Sequence, residues 1–489
     1  MASAAKNSVF YAIGSIARAL TSFLLMPIYA NILGSSQYGV LNLLQTFSAI
    51  VAPIMTLVVE KSIYRLYFDY KTEDEKKEFL STVFWSINVT SLVVIAACMI
   101  FGDILAKYLG EVDVLIILYP VIIYTYLSAL ITYSQILLQT QQEGGKYLVV
   151  SMLMLVIYNV LALLFLFYWT PTYKAEVYAT LICNFVVLVI AFVFIREQIT
   201  FKFNISILRK VLSFTMPLFM MSMFAWILST SDRLFIANYQ NTSDVGLYSI
   251  AFKICSMGVM LASSMKAAFD PYFFNISNNE DELSAKAHIR PVNDTMIFLT
   301  SMLFLIVVLF GKLFIGIFLN PEYQDSILYL YFIVISSLLT QQATVLNVMI
   351  LQNKKTMVLS MITIVSGIIS ISLNAILIPR FGSVMAAVNS MIVGIFMFAL
   401  TWVYSRKNYY VSFNFGNIWA TIAIVVLCSF IDYCINNVYI GAMGKFVLIL
   451  ICVLSLSKLQ LFTYPILGVL TNRIMDKYEL KRKFKLKND

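Results

Sequence analysis

Histidine is nearly missing from this chain. His288 is the only one in 489 residues, and it lies in a polar stretch. The six cysteines, Cys98, Cys183, Cys255, Cys428, Cys434 and Cys452, are scattered through apolar runs without metal-ligand spacing. They read as packing residues. No G-x-x-x-x-G-K-[ST] loop is present to cradle a nucleotide's phosphates. No G-x-S-x-G elbow offers a nucleophilic serine. No segment alternates apolar and polar residues with period two, which excludes a β-barrel. Charge is sparse as well, at 12% of residues. The expectation is therefore a non-enzyme without metal or cofactor, and without a nucleic-acid partner.

What fills the chain is apolar sequence, 61% of residues. That is well above the share in soluble domains. Runs of about 20 apolar residues, each long enough to cross a bilayer, recur throughout. The sequence predicts an all-α polytopic membrane protein with about 14 spans. Their limits are 8–33, 38–66, 80–101, 113–138, 147–169, 177–195, 214–238, 246–274, 294–318, 326–351, 357–378, 384–405, 417–436 and 443–470. The first run is too long for a signal-peptide core and has no small-residue cleavage site, so it reads as a retained helix. With the N-terminus inside, the inner connections and both ends hold 22 Lys and Arg, against three in the outer turns. That bias places both termini in the cytoplasm. The basic tail, 471–489, fixes topology or touches anionic lipid head groups.

The chain also repeats itself. At one ungapped shift of 207 positions, Ala30-Asn31 matches Ala237-Asn238, Ser36 matches Ser243 and Gly39 matches Gly246. Leu138-Gln139 then answers Leu351-Gln352, and Asn159 answers Asn374, at slightly larger shifts. A consistent order of weak matches marks a duplicated unit. The expected division is a lobe of six spans at 1–195, a cytoplasmic connection at 196–213, and a second lobe of six at 214–405. Spans 13 and 14 follow at 406–470. Both copies start inside, so the lobes are related by a pseudo-two-fold axis along the membrane normal.

Charge within the spans is costly and usually faces a cavity or a partner. Here it gathers in spans 1 and 2 and in their copies, 7 and 8. Span 1 carries Arg18, span 2 Glu60, Lys61 and Arg65, span 7 Asp232 and Arg233, and span 8 Lys253, Lys266 and Asp270. Asp432 and Lys458 fall in the last two spans. At 1.5 Å per residue Arg18 lies roughly 15 Å deep, near the midplane. Lys61, Arg65 and Lys266 lie at the cytoplasmic mouth, Arg233 and Lys253 toward the outer end. The predicted site is a ladder of cations, Arg18, Lys61, Arg65, Arg233, Lys253 and Lys266, with Asp232 beside it, and it suits an anionic substrate. A purely structural account exists for most of these residues. Lys266 and Asp270 pair at i and i+4, Lys61 and Arg65 snorkel, and Asp232 neutralises Arg233. Arg18 has no acidic neighbour within a turn.

Several stretches resemble one family. They are Leu33-Gly-Ser-Ser-Gln-Tyr-Gly39, Asp232-Arg-Leu-Phe-Ile236 with Gly246-Leu-Tyr248, and Asn374-Ala-Ile-Leu-Ile-Pro-Arg-Phe-Gly382 with Ala386-Ala387. The chain resembles a bacterial polysaccharide flippase of the multidrug/oligosaccharidyl-lipid/polysaccharide exporter superfamily. The resemblance implies two lobes in a V, alternating access, and residence in the inner membrane. It implies an undecaprenyl-pyrophosphate-linked oligosaccharide as substrate, with membrane lipids, a glycan polymerase and a chain-length regulator as partners. Guanidinium groups match phosphate oxygens in a two-pronged fork. A lipid II flippase and a multidrug exporter of the same superfamily are the rival readings. The latter should carry an acid deep in span 1, where this chain has Arg18. A membrane glycan polymerase or ligase would need a larger outer loop, and a passive scaffold would not need charge gathered in particular spans.

A midplane Arg18 should be retained for a role that offsets an insertion cost of at least about 2.5 kcal/mol. Arg18→Ala should abolish glycan export at unchanged membrane abundance, and Arg18→Lys should restore it only in part. Full export by the alanine variant at normal abundance would move the substrate site to Arg233 and Lys253.

Overall fold

The computed structural model describes residues 20–412, 414–435 and 438–458, with Phe10, Gly14 and Ala17, and side chains as far as Leu454. Most of the expected first span and the whole basic tail lie outside these residues. Fourteen helices organise the described chain: α1 Met26–Thr56, α2 Glu73–Ile100, α3 Tyr119–Thr140, α4 Gly144–Tyr168, α5 Tyr173–Ile195, α6 Ile205–Thr230, α7 Asp232–Tyr239, α8 Thr242–Asn279, α9 Glu282–Phe318, α10 Ser326–Gln352, α11 Thr356–Phe381, α12 Val384–Arg406, α13 Phe415–Cys434 and α14 Val438–Lys458. Shorter helical turns join some of them, and no strand occurs among the described residues. Twelve described helices are long and apolar enough to cross a membrane, and residues 438–454 of α14 form a shorter apolar helix. This is a multi-pass helical membrane protein.

Local chemistry sets the helix starts. Thr72 opens α2 with a reciprocal cap: its hydroxyl accepts from the Glu75 amide at 3.2 Å, and the Glu75 carboxylate accepts from the Thr72 amide at 3.3 Å. Asn204 caps α6 and Asp281 caps α9 in the same way. These caps explain where the expected limits shift. The helix expected from 214 begins at Ile205, because two amphipathic turns carrying Arg209 and Lys210 precede its apolar run. The polar connection expected at 275–293 shrinks to residues 280–281. Its sequence is helical, supported by Lys286 paired with Glu282 at 2.5 Å. The span expected at 38–66 ends at Thr56, where Leu57 and Val58 turn left-handed at φ 47° and 57°.

The helices gather into two compact units, residues 1–249 with 367–386, and residues 250–366 with 387–489. In the first, α3 and α4 pack on α5, and α1 packs on α2, α3 and α6. Its core includes Phe79, Val83, Tyr133, Leu137, Val150, Cys183 and Val187. Val89, Leu92, Val93, Val160 and Phe167 point outward. In lipid the helices gain little from apolar contact alone, so polar bonds between helices add to the packing. Tyr133 donates to the Leu80 carbonyl at 2.9 Å, Asn184 to the Tyr124 carbonyl at 3.0 Å, and Thr90 to the Met55 carbonyl at 2.5 Å.

In the second unit α9 packs against α10, α13 and α14. A buried charge cluster joins all four helices. Lys445 donates to Asp432 Oδ2 at 3.0 Å, Lys312 Nζ stands 3.6 Å from Asp432 Oδ1, and Tyr331 also donates to Asp432. Lys312 further donates to the carbonyls of Asp432 and Ile435, at 3.0 and 2.9 Å. Those carbonyls close the C-terminus of α13, where a cation is favoured. Lys445 has no exposed surface, and it also donates to the Val308 carbonyl of α9 at 3.2 Å. The cluster latches α13 and α14 onto α9.

Removing the anion alone would strand two buried lysines. Asp432→Ala should destabilise the protein by about 3–5 kcal/mol, read as a lower thermal midpoint in detergent. The triple variant Lys312→Met, Asp432→Leu, Lys445→Met should recover most of that loss. A single Asp432→Ala variant as stable as the parent would show that the cluster does not latch these helices.

Candidate functional site

The two copies of the repeated motif meet in the first unit. The chain turns at Gly34, with φ 71° and ψ 167°, a conformation open chiefly to glycine. Ser35 and Ser36 follow. In the second copy Asn241 caps α8 by accepting from the Asp244 amide at 2.8 Å, and Thr242 and Ser243 begin the helix. Ser35 Oγ lies 2.7 Å from Ser243 Oγ, and Ser36 Oγ lies 2.8 Å from Thr242 Oγ1. By the repeat, Thr242 is the counterpart of Ser35 and Ser243 that of Ser36. Each contact is therefore the other with its two copies exchanged, as around a local two-fold axis. The glycines obey the same exchange. A Cβ on Gly39 would overlap the Thr242 carbonyl, and a Cβ on Gly246 would overlap the Ser35 carbonyl. Both must be glycine for the backbones to approach this closely.

Just before this contact lie Asp232 and Arg233, the first residues of α7. Both are buried, 3% and 6% exposed. Tyr248 donates to Asp232 Oδ2 at 2.6 Å, and Asn374 donates to Oδ1 at 2.5 Å. Arg233 Nε donates to Ser249 Oγ at 3.1 Å, and Nη1 donates to the Ser229 carbonyl at 3.3 Å. Its guanidinium also lies 5.7 Å from the centre of the Tyr248 ring. Neutral groups of α6, α8 and α11 thus hold both charges. Asn374, matched by the repeat to Asn159, supplies one of them.

Two cavities adjoin within the same unit. One, about 500 Å³, is lined by Gln45, Tyr124, Tyr158, Asn159, Glu176 and Asn184 among others. Tyr158 donates to Glu176 at 2.5 Å. The other, about 380 Å³, is lined by Thr56, Glu60, Lys61, Ser128, Thr132 and Ser222 among others. They share Ala49, Ala52 and Ser128 as common wall. Small side chains on α1 make the room, and hydroxyls and amides face it.

The predicted site residues are thus distributed. Asp232 and Arg233 come together, and neither lines these two cavities. Lys61 is exposed and lines the smaller one. Arg65 is exposed and pairs with Asp69 at 2.8 Å, and Lys210 reaches the same carboxylate at 3.1 Å. These two cations hold the Asp69 carboxyl below the usual range. Lys253 and Lys266 lie in the second unit on α8, partly buried, with Lys266 paired to Asp270. Arg18 lies outside the described residues. Sequence reasoning did not single out Glu176, Lys312 or Lys445. Each is one charge at the end of, or inside, a long apolar run, and its partners are distant in sequence.

Residues 28–328 match the family described as polysaccharide biosynthesis protein. The chain belongs to that family. A protein of the Lsg locus of Haemophilus influenzae is 23% identical over 275 residues, 55% of this chain. The match spans 65% of that relative's length. Among solved structures the fold is similar to the lipid II flippase MurJ in an inward closed conformation. That comparison gives a TM-score of 0.72 at 14% identity, covering 92% of this chain and 99% of the other. An inward-facing multidrug resistance MATE transporter gives 0.60 at 13% identity, covering 79% and 98%. This member of the polysaccharide biosynthesis family thus shares its all-helical fold with these two solved structures.

The hydroxyl contact is directly testable. Ser36→Cys with Thr242→Cys should form a disulfide on mild oxidation, detected by a mobility shift that reductant reverses, because side-chain oxygens 2.8 Å apart imply Cβ atoms near disulfide range. Ser36→Cys with Ser256→Cys should not cross-link. Equal cross-linking of the two pairs would remove the contact.

Proposed function

We propose that the protein flips an undecaprenyl-pyrophosphate-linked oligosaccharide from the cytoplasmic to the outer leaflet of the bacterial inner membrane. A pyrophosphate with its sugars cannot cross about 30 Å of hydrocarbon unaided. In this reading two lobes, 1–195 and 214–405, alternate their access, and spans 13 and 14 flank them. Arg18, Lys61, Arg65, Arg233, Lys253 and Lys266 attract the pyrophosphate along its way, with Asp232 orienting its neighbour. The polyprenyl tail stays in lipid, and both termini are cytoplasmic. A glycan polymerase and a chain-length regulator would receive the product.

The observation that carries the reading is Arg233. An isolated surface cation needs no explanation, but a guanidinium 6% exposed in an apolar bundle does. Its described bonds go to a hydroxyl and a carbonyl. These bonds orient the guanidinium, whose planar fork suits the oxygens of an anion. Membership of a polysaccharide biosynthesis family supports a glycan as the cargo. The 500 Å³ cavity supports it too, since aromatic rings, amides and a carboxylate suit a sugar's faces and hydroxyls. Arg65 and Lys266 are the weaker members, each beside a carboxylate.

In cells lacking the native protein, Arg233→Ala should lower the lipid-linked glycan reaching the outer leaflet by about tenfold or more, the worth of a charge-assisted bond. Arg233→Lys should recover part of it. The readout is glycan accessible to a membrane-impermeant modifying reagent, at matched protein abundance. Wild-type export by the alanine variant would overturn the role of Arg233, and accumulation of surface glycan without the protein would overturn the flippase reading.

A further inference from the structure

A third cavity of the first unit takes no part in the function proposed above. It holds about 480 Å³, and its lining includes Lys107, Tyr108, Glu111, Asn238, Asn241 and Thr242. One wall is the end of the short helix Gly102–Tyr108 with the turn after it, and the other is the joint between α7 and α8. The backbone shapes the first wall. Gly110 and Glu111 are both left-handed, at φ 89° and 57°, a conformation that suits the glycine and is uncommon for the glutamate. The turn rests on α1 and α8 at once: a Cβ on Gly110 would stand 3.4 Å from Val40 Cγ2 and 3.1 Å from Thr242 Cγ2. Those two helices are the two sides of the contact between the repeated motifs. Thr242 serves both places, since its hydroxyl meets Ser36 at 2.8 Å and its side of α8 lines the cavity.

The lining decides what fits. Pockets for small apolar ligands are walled mostly by apolar side chains. This one offers an ammonium, a carboxylate, two carboxamides and a hydroxyl, with one aromatic ring. A carboxamide donates and accepts at once, as neighbouring hydroxyls on a sugar ring require. Asn238 is exposed, and among the described residues its side chain makes no hydrogen bond. Tyr108, 55% exposed, adds a ring with an apolar face and a polar tip, which matches a sugar's C–H face and hydroxyl edge. Lys107 and Glu111 bring one charge of each sign, and among the described residues neither forms an ion pair. A phosphate drawn to Lys107 would meet Glu111. A hydroxyl donates to the carboxylate and accepts from the ammonium, so a neutral sugar uses both. One carboxylate alone is a poor cage for a divalent cation.

We propose that this cavity binds a neutral sugar unit and that the bound sugar holds the two repeated motifs together. Its walls stand on both sides of the motif contact, so a ligand touching both favours the state in which the contact is closed. Parting the motifs would open the cavity and release the sugar. With the N-terminus inside, the turn 102–112 is an outer one, and the sugar is then part of a glycan already carried across. That placement rests on the flippase reading above, and the sugar site itself does not.

The test uses the purified full-length chain in lipid nanodiscs. Saturation-transfer NMR is run with glucose, galactose and N-acetylglucosamine, and with glucuronic acid and inorganic pyrophosphate as anionic comparisons. At least one neutral sugar should receive saturation from the protein. Asn238→Ala should weaken its binding about fivefold, as the loss of one neutral hydrogen bond would. Ser35 is 7% exposed in the motif contact and does not line the cavity. The thiol of a Ser35→Cys variant therefore reports opening of the contact by its rate of maleimide labelling, corrected for labelling of the parent's own cysteines. Sugar at about ten times its Kd should slow that labelling about tenfold, and less at the same concentration when Asn238→Ala is added. No transfer to any of the neutral sugars, or equal binding by the parent and Asn238→Ala, overturns the site. So does binding of glucuronic acid or pyrophosphate alone that Lys107→Ala abolishes. Labelling unchanged by sugar overturns the hold on the motif contact. If Asn238→Ala does not fold, Tyr108→Ala in the exposed turn decides in its place. Export is not read in these measurements, so sugar binding alongside unimpaired export in cells lacking the protein would sink the flippase reading and leave the sugar site standing.

Discussion

A charge inside an apolar helix bundle must be held by something, and this constraint shapes both units. The solutions differ in kind. Asp432 is flanked by two lysines and a tyrosine, and four helices are tied together by the result. Asp232 is held by a tyrosine and an asparagine, and Arg233 by a serine and a carbonyl. Opposite charges brought together tie the helices that carry them. The contrast sets the helix-tying cluster of the second unit apart from the hydrogen-bonded charges at the head of α7.

The repeat gives the scaffold its second constraint. Ser35, Ser36 and Gly39 meet Thr242, Ser243 and Gly246 as exchanged copies. Such a contact is self-complementary, so one short motif serves both sides of it. It is also made of hydroxyls and backbone, without charge or large apolar side chains. Each neutral bond of this sort is worth only about 1 kcal/mol. A contact of that strength can hold one arrangement and still release it.

Much of the architecture was legible because hydrocarbon imposes a length. The apolar runs located the spans, and Gly34 and the Asn241 turn were marked by their own chemistry. Helix ends in water were not legible, since no length rule governs them. Residues 205–213 and 282–293 are polar and amphipathic, and only their caps reveal that they are helical. The break after Thr56 was hidden for the opposite reason. Leu57, Val58 and Val59 continue an apolar run, and nothing in them announces a left-handed turn. The site shows the same division. The sequence brought Asp232 and Arg233 forward because they interrupt a span. It gave no sign of Tyr248, Ser249 or Asn374 as their partners, or of Lys312 and Lys445 converging on Asp432. Those pairings exist only in three dimensions.

Lys266 and Arg65 show how far a charge ladder read from sequence can be taken. Both were expected at a mouth, and each has a carboxylate four residues on. The pair at the exposed Arg65 is worth little to stability, at most about 1 kcal/mol, and in both pairs the field is largely cancelled. Asp69 is shared between Arg65 and Lys210, two cations for one acid, so some positive charge survives there. Lys61 differs from both. Its acidic neighbour is turned into the protein by the break at Leu57 and Val58, while the lysine remains outside. A continuous helix would have rotated Glu60 by about 100° from Lys61 in the ordinary way. The strained turn instead buries the acid and exposes the base.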